Sequence, residues 1–314
     1  MLSKIAKVNK DTLQCSVKEK YVKFYYCHHQ SALNLLELIV AVNLGYESVV
    51  DRLLNANNVV EAIQSGSQDI NRVLTVAIKK KDYSILKMLL EAGLRADRRF
   101  TIDPPNYFAI TCPEINLKII CLLREFQDNA NVDNAIIWAL YYSVSKSYYD
   151  QFIYLLFFFY AVDLHLGKLH PDLMPAKGLF ELNESFSKIF SYCNSVIKRL
   201  KSNNEGSISI FDMITMPLDL YVRLLDYEIH WDACKNLHAS LEKITKPKCY
   251  DYVTKTRIEL AIEKRQLLDN AEISLNKALE DILMSINYVS LPSEVVRNIF
   301  MHFNTRELRK LVEG

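Results

Sequence analysis

Glycine and proline are scarce in this chain. Average usage would supply roughly 22 glycines and 16 prolines at this length, whereas the sequence has 7 and 8. Folds rich in strands or long loops use these residues at their turns, so we expect an all-α fold of helices joined by short turns. The shortage also excludes phosphate-binding loops, because neither a GxGxxG nor a GxxxxGKS/T pattern occurs.

An excess of charge of either sign is also missing. The 38 basic and 37 acidic residues leave a formal charge of +1, so the composition predicts no nucleic-acid partner. The most apolar stretch, FIYLLFFFYAV at 152–162, is too short to cross about 30 Å of hydrocarbon as a helix. We interpret it as a buried helix and expect no membrane partner. The opening MLSKIAKVNKDT lacks an apolar signal core, so we expect no cleavable signal.

Metal-binding and catalytic patterns are absent or weak. The seven cysteines form no CxxC pair, which is typical of reduced thiols in a cytosol. Cys27, His28 and His29 are adjacent, but neighbouring side chains rarely reach one ion, so we interpret them as part of an N-terminal capping segment. Cys234 and His238 fit a thiol–imidazole pair or a buried structural thiol, and the apolar surroundings favour the thiol. We predict no metal, no cofactor and no enzymatic activity.

One segment recurs along the first half of the chain. Its clearest copies are LLELIVAVNLGYESVVDRLLNANN at 35–58 and VLTVAIKKKDYSILKMLLEAGLRAD at 73–97, and fainter copies end near 131 and 163. Each copy has a pair of apolar anchors, spaced by 36, 33 and 33 residues: Leu53–Leu54, Leu89–Leu90, Leu122–Leu123 and Leu155–Leu156. Ala41 and Ala77 occupy matching positions, where a small side chain lets helices approach closely. A unit this small cannot bury its own apolar face, so the copies must stack as a solenoid of helix pairs.

The period and the pattern LTVAI…ILKMLLEAG resemble the ankyrin repeat, although no copy keeps its Thr-Pro-Leu-His opening. Another solenoid of helix pairs, with the same stacking, is the alternative. The resemblance implies that a partner protein binds at the tips between repeats and on the inner helices. By position, the candidate residues for binding this target are Asn57, Asn58, Arg95, Arg98, Arg99, Asp128, Asn129 and Asn131.

Helical patterns continue without the repeat through a middle region. LNESFSKIFSYCNSVIKRL at 182–200 carries one apolar stripe at spacings of 3 and 4. The run 250–289 has no glycine or proline and would reach roughly 55 Å as one helix. Because it leads straight into Leu291, we expect no flexible linker before the last segment.

The last segment, LPSEVVRNIFMHFNTRELRKLVEG, predicts two short helices. Pro292 suits a first helical turn, and Asn304 with Glu307 is close to a capping box at the start of the second helix. The first helix has an apolar stripe formed by Val295, Ile299, Phe300 and Phe303. Two short helices cannot bury such an apolar face between themselves, so the segment predicts that a partner surface covers it.

This segment resembles the first half of an F-box, whose pattern begins with a Leu-Pro pair and continues into an apolar helix. A full F-box has a third helix, whereas this sequence stops at Gly314. Ankyrin repeats followed by such a segment are similar to the ankyrin/F-box (PRANC-type) proteins of poxviruses and obligate intracellular bacteria. The alternative is that the apolar stripe seals the end of its own helical body. The resemblance implies that the Skp-type adaptor of an SCF ubiquitin ligase is bound by Leu291, Pro292, Glu294, Val295, Ile299, Phe300, Phe303 and Leu308.

The patterns together predict four parts: a capping segment at 1–30, about four degenerate repeats at 31–165, a helical middle domain at 166–288 and the F-box-like segment at 289–314. The resemblance implies a host-directed adaptor that recruits a host protein and promotes its ubiquitination and degradation. A stoichiometric blocker of a host signalling or transport factor, acting without ubiquitin, is the alternative. We expect a monomer in the host cytoplasm or nucleus, secreted without a cleavable N-terminal signal.

Overall fold

The structure is a computed structural model, and it describes residues 30–65, 68–94, 117–126, 150–168, 184–205, 208–226, 249–283 and 291–313. Within these ranges nearly every residue is helical, which confirms the all-α prediction. The described helices are α1 (Gln30–Leu44), α2 (Glu47–Leu54), α3 (Asn57–Ser65), α4 (Gln68–Lys80), α5 (Tyr83–Glu91), α6 (Leu117–Glu125), α7 (Asp150–His165), α8 (Glu184–Ser202), α9 (Ile210–Thr215), α10 (Leu218–Asp226), α11 (Cys249–Leu283), α12 (Ser293–Phe300) and α13 (Thr305–Glu313). Two short antiparallel strands, β1 (Asn204–Glu205) and β2 (Ile208–Ser209), lie between α8 and α9.

The helix pairs α1–α2 and α4–α5 turn in the same way. Gly45 has a φ of 75° at the first turn, and Lys81 has a φ of 57° at the second. In each turn the next N–H donates to the carbonyl five positions back, at 3.0 Å from Tyr46 to Ala41 and at 3.3 Å in the second pair. The left-handed conformation turns the chain back, so that the N–H of the following residue reaches a carbonyl that the helix end leaves free. The two copies that are 36 residues apart in the sequence therefore have the same turn in the backbone.

These two helix pairs stack in register. α1 packs on α4, and α2 packs on α5. We call the first helix of each pair, α1 or α4, the inner helix and the second, α2 or α5, the outer helix. Ala41 and Ala77 are both buried on the inner helices, where their small side chains allow close approach. The anchor pairs Leu53–Leu54 and Leu89–Leu90 are buried on the outer helices. Each pair thus buries its apolar face against the next, as stacked repeats do.

A helix replaces the predicted tip between these two units. α3 begins at Asn57, so Asn57 and Asn58 form its first turn. Val59 and Ile63 lie one turn apart and are buried, and α3 packs against α1 and α2. The burial of this apolar face favours a helix over a hairpin. The prediction that Asn57 and Asn58 lie at a hairpin tip is therefore wrong.

The two fainter repeat copies each contribute one described helix. Leu122 and Leu123 are buried in α6, which packs on α5, and Leu155 and Leu156 are buried in α7. All side chains from Leu155 to Val162 are buried, which confirms that this apolar run is a core helix. Among the helices of the described ranges, none has the length and hydropathy needed to cross a membrane. The inner helices expected for these two copies fall outside the described residues.

α8 presents the predicted apolar stripe to its neighbours. Phe186, Cys193, Val196 and Leu200 are buried in it, and α8 packs along α7. The rings of Phe157 and Phe186 lie 5.4 Å apart between these two helices. Burial raises the pKa of the Cys193 thiol to about 12, so this thiol stays protonated within the core.

α11 is the central element of the described fold. Its 35 residues extend about 50 Å. It packs against α6 and α7 of the repeat region, against α9 and α10, and against α12 and α13. The described helices therefore share one hydrophobic core. The predicted connection without a linker spans residues 284–290, which lie outside the described residues.

Candidate docking face on the C-terminal helices

The Leu-Pro pair leads directly into the first turn of α12. The Pro292 carbonyl accepts hydrogen bonds from the backbone N–H groups of Val295 at 2.9 Å and Val296 at 3.3 Å. Proline has no N–H to leave unsatisfied there, and its φ of −55° suits a helix start. Glu294 is exposed in the first turn, where a negative charge suits the positive end of the helix dipole. The helix begins one residue after the proline.

α13 begins with a reciprocal capping box. The backbone N–H of Glu307 donates to the Asn304 side-chain oxygen at 2.9 Å, and the backbone N–H of Asn304 donates to the Glu307 carboxylate at 2.8 Å. Two N–H groups that the helix start leaves free are thereby satisfied. This cap confirms the prediction from the sequence, and it fixes where the second short helix starts.

α12 has one apolar side turned inward and another turned outward. Val296 and Phe300 are buried in the core. Val295 is 44% exposed and Ile299 is 49% exposed. Pro292 is also exposed, and its spacing places it on the same side as these two residues. We call Pro292, Val295 and Ile299 the docking face.

The residues predicted to bind the Skp-type adaptor divide between surface and core. Glu294 is exposed together with the docking face. Leu291 and Phe303 are half-buried and pack against the core. Phe300 and Leu308 are 4% and 0% exposed, so a partner could not reach them while the two helices are docked. This corrects the prediction of one outward stripe, because Phe300 lies on the side of α12 that seals its own chain.

Polar contacts hold the inward side of α12 to α11. The Arg297 guanidinium pairs with Asp269 and lies 3.4 Å from Glu272. Ser293 donates to Glu272 at 2.9 Å, and the Arg297 Nε–H donates to Ser293 at 3.2 Å. Each partly exposed pair contributes little stability alone. Together with the burial of Val296 they fix which side of α12 faces water.

α13 is held by a closed ring of four alternating charges. Arg309 donates to the Glu91 carboxylate at 2.6 and 3.3 Å and also pairs with Glu263. Lys87 pairs with Glu263 and lies 3.8 Å from Glu91. The Glu91 side chain is only 2% exposed. The ring therefore joins α5 of the second repeat, α11 and α13 through a buried carboxylate.

The ring shifts the ionisation of its members. Burial alone would raise the pKa of Glu263, but hydrogen bonds from Lys87 and Arg309 outweigh it and hold the pKa below its ordinary value. Burial likewise opposes the charge of Arg309, but the hydrogen bond to Glu91 outweighs it and raises the pKa of Arg309. Both groups are thus ionised at neutral pH, and their attraction is part of the docked arrangement.

A second arginine of α13 reaches the first repeat. One Arg306 nitrogen donates to the Asp51 backbone carbonyl at 3.0 Å and to its carboxylate at 3.1 Å. Burial lowers the pKa of Arg306, and the nearby carboxylates of Asp51 and Glu91 oppose this shift. Asp51 lies on α2, so α13 contacts the outer helices of both described repeat units.

Most residues predicted to bind a target on the repeats lie outside the described residues. These are Arg95, Arg98, Arg99, Asp128, Asn129 and Asn131. Of the others, Asn57 is exposed in the first turn of α3, and Asn58 lies in the same turn. The cysteine–histidine candidates, Cys27, His28, His29, Cys234 and His238, also lie outside the described residues.

The inner helices carry exposed apolar side chains that the sequence reasoning did not single out. Leu36 is 38% exposed and Leu44 is 42% exposed on α1. Arg72 and Lys80 occupy the matching positions of α4, 36 residues later, and are exposed too. The 36-residue period could have predicted these four positions. Ala41 and Ala77 mark the buried side of each inner helix, so residues on the opposite side are expected to be exposed. We call these four exposed residues the inner face.

In the described part of the chain, no three His, Cys, Asp or Glu side chains are grouped so that they could hold a metal ion. A crevice of about 450 Å³ lies between α6, α7, α9, the start of α10, and α11. Its guanidinium groups have carboxylate partners, since Arg257 donates to Glu125 at 2.8 and 3.1 Å and Arg124 pairs with Asp163. These pairs fasten α6 to α11 and α7.

Comparisons with known proteins return no relative: no family model, no curated protein and no solved structure matches this chain. The resemblances to ankyrin repeats and to the F-box therefore rest on the sequence patterns. The matched turns, the stacked helix pairs and the docking face are properties of this chain that stand without a relative.

Proposed function

We propose that this protein is a host-directed adaptor that brings two proteins together. Its docking face binds the Skp-type adaptor of an SCF ubiquitin ligase, and its repeat helices hold a host protein that is then ubiquitinated. The observation that carries the proposal is the exposure of Val295 and Ile299 on a helix whose opposite side is sealed in the core. An apolar face in this position remains available to a partner.

The docking face has the chemistry of a small anchoring surface. Burying an aliphatic side chain such as Val295 or Ile299 gains about 1.5–3 kcal/mol, and a few such anchors carry most of the energy of a typical interface. Pro292 and Glu294 extend the surface along the helix start, and they match the F-box pattern. Leu291 and Phe303, which are half-buried, contribute the part of their surface that remains open.

The repeat helices offer a different surface for the recruited protein. α13 covers part of the outer helices, because its Arg306 bonds to Asp51 of α2 and its Arg309 bonds to Glu91 of α5. The inner face, with Leu36 and Leu44 on α1 and basic residues at the matching positions of α4, is the surface we assign to the host target. Holding the host protein and the ligase adaptor on one chain raises their effective concentration. The recruited protein then meets the ligase without a separate diffusional encounter.

The second candidate function is stoichiometric blocking of a host factor. The exposure of Leu36 and Leu44 favours it, because the inner face is independent of the docking face and would bind a target without any ligase. Under this alternative, variants of α12 retain the effect of the protein in host cells. Under the adaptor proposal, the same variants lose it.

The test uses point variants of the full chain and a purified Skp-type adaptor. Removing the last two helices would be a poor test, because it would uncover the core around Leu308 and leave Glu91 without Arg309. We expect Ile299→Lys to lower adaptor affinity by at least about tenfold, since a desolvated anchor is lost. Calorimetry gives the affinity, and circular dichroism shows whether the helical fold is kept.

The matched control is Asn298→Lys, which places the same charge on the exposed neighbour of Ile299 but outside the docking face. This variant should bind as the unaltered chain does. Adaptor binding that survives Ile299→Lys together with Val295→Asp would refute the assignment of the docking face.

A further inference from the structure

We propose that Arg306 and Arg309 are positioning residues that hold α13, and α12 with it, in one orientation on the repeat helices. The inference rests on the proposed function in one respect: a fixed orientation keeps the protein on the docking face at a constant distance from the protein on the inner face. The orientation itself belongs to the chain alone and is measured without any partner.

Apolar packing alone does not define this orientation. Among the described side chains of α13, residues 305–312, Leu308 is the one that is fully buried. Leu308 and the partly buried Val312 lie one turn apart on the same side of α13. They select which side of the helix faces the core, but they do not by themselves fix the angle at which it crosses its neighbours. Directional contacts are needed to select one angle, and hydrogen-bonded ion pairs supply such directions.

Arg309 gives the first direction. Its planar guanidinium donates to Glu91 of α5 and to Glu263 of α11 at the same time. A guanidinium presents its donors in a rigid fork, so two carboxylates on two different helices are satisfied together only in a narrow range of angles. Rotation of α13 would leave the carboxylate of Glu91, which is 2% exposed, without its two hydrogen bonds from Arg309 and with Lys87 at 3.8 Å as its remaining cation.

Arg306 gives the second direction. It lies one turn before Arg309 and bonds to Asp51 of the neighbouring outer helix. Three residues correspond to a rise of about 4.5 Å along a helix, whereas packed helices lie about 8–10 Å apart. The two arginine side chains extend in different directions, Arg306 to α2 and Arg309 to α5, and so span the wider separation of these two helices. The angle between α13 and the repeat stack is thereby set at two points.

A charge exchange tests the proposal. The variants are Arg306→Glu, Asp51→Lys and the double variant with both changes, in the full-length chain. Glutamate and lysine together span about the same number of bonds as aspartate and arginine, so the double variant rebuilds the side-chain ion pair with reversed charges, but not the hydrogen bond to the Asp51 backbone carbonyl. Asp51 is 57% exposed on α2, so Asp51→Lys leaves the core untouched.

The readout is the distance distribution between two spin labels. The labels are attached to ketone-bearing unnatural residues at Asn43 of α1 and Asn298 of α12, which are both exposed, so the cysteines are left unmodified. We expect one narrow peak in the unaltered chain and a distribution about twofold broader in each single variant, because like charges then face each other. The double variant should give a distribution narrower than that of either single variant, because the ion pair is rebuilt while the bond to the Asp51 carbonyl is not.

A narrow peak in both single variants overturns the proposal, and so does a double variant that stays as broad as the singles. A purely structural loss of α13 would not be rescued by reversing both charges. Adaptor affinity, measured separately, is expected to be unchanged in the single variants, since the docking face is intact. If the unaltered chain does not bind the adaptor, the proposed function fails while the distance result still decides the positioning role.

Discussion

Glu91 and Arg309 are 218 positions apart in the chain and are joined by two hydrogen bonds, of 2.6 and 3.3 Å. Glu91 ends the outer helix of the second repeat, and Arg309 lies in the last described helix. A buried carboxylate needs a charged donor to remain ionised. The C-terminal helices are therefore part of the repeat body, and the docking face is the part of them that remains open.

The arginine whose carboxylate partner is buried should matter more for stability than the arginine whose carboxylate partner is exposed. Arg309→Ala leaves the Glu91 carboxylate buried without its bidentate partner, and we expect it to lower the free energy of unfolding by about 2–4 kcal/mol. Arg306→Ala should lower it by about 1 kcal/mol or less, because Asp51 stays hydrated. Urea denaturation at neutral pH measures both, with the exposed Lys310→Ala as control. Equal losses for the two arginines would contradict this account of the ring.

The ring also predicts how stability depends on pH. The pKa of Glu263 lies below its ordinary value of 4.5 in the folded state. A carboxyl with a lowered folded pKa contributes stability above its unfolded pKa and loses it as the pH falls through the folded value. The free energy of unfolding should therefore fall as the pH decreases from about 5 to 3.

Glu263→Gln should remove part of this decrease. Urea midpoints measured across that pH range test the prediction, with Glu280→Gln as an exposed control on the same helix. If the two variants show the same slope as the unaltered chain, Glu263 is not the group that carries the dependence.

Local patterns were sufficient to predict the helices and their anchors. Leu53, Leu89, Leu122 and Leu155 were predicted as anchors from their spacing, and all four are buried. The capping box was predictable for the same reason, because it involves residues only three positions apart. Such features depend on neighbours along the chain, and a sequence shows those neighbours directly.

Contacts between distant residues and choices between adjacent helix sides were not predictable. The α12 sequence offers two apolar sides, one with Ile299 and one with Phe300, and its periodicity does not tell which side meets the core. The choice is made by α11, through Asp269 and Glu272, the partners of Arg297 that lie 28 and 25 positions before it in the sequence. The ring of charges joins three helices, and a single sequence carries no signal for such pairs.

The matched turns make a prediction about backbone strain. Gly45→Ala should destabilise the protein by about 1 kcal/mol, because alanine is disfavoured at a φ of 75°. A Cβ there would meet its nearest neighbour, an Asp82 oxygen, at 3.9 Å, so the cost is conformational and not a clash. Lys81→Gly, at the equivalent position, should stabilise by up to about 1 kcal/mol. Thermal unfolding of both variants checks the signs, and two changes of the same sign would contradict the equivalence of the turns.

Val295 and Val296 form a matched pair for separating folding from binding. They are adjacent residues of the same type, but Val295 is 44% exposed and Val296 is fully buried. Val296→Ala should cost about 2 kcal/mol of unfolding free energy through the cavity it leaves, whereas Val295→Ala should change it by less than about 0.5 kcal/mol. Affinity for the Skp-type adaptor should show the opposite order, with about a tenfold loss for Val295→Ala and little change for folded Val296→Ala. If both variants lose affinity only in proportion to their loss of stability, α12 serves the fold alone and the docking face has no partner.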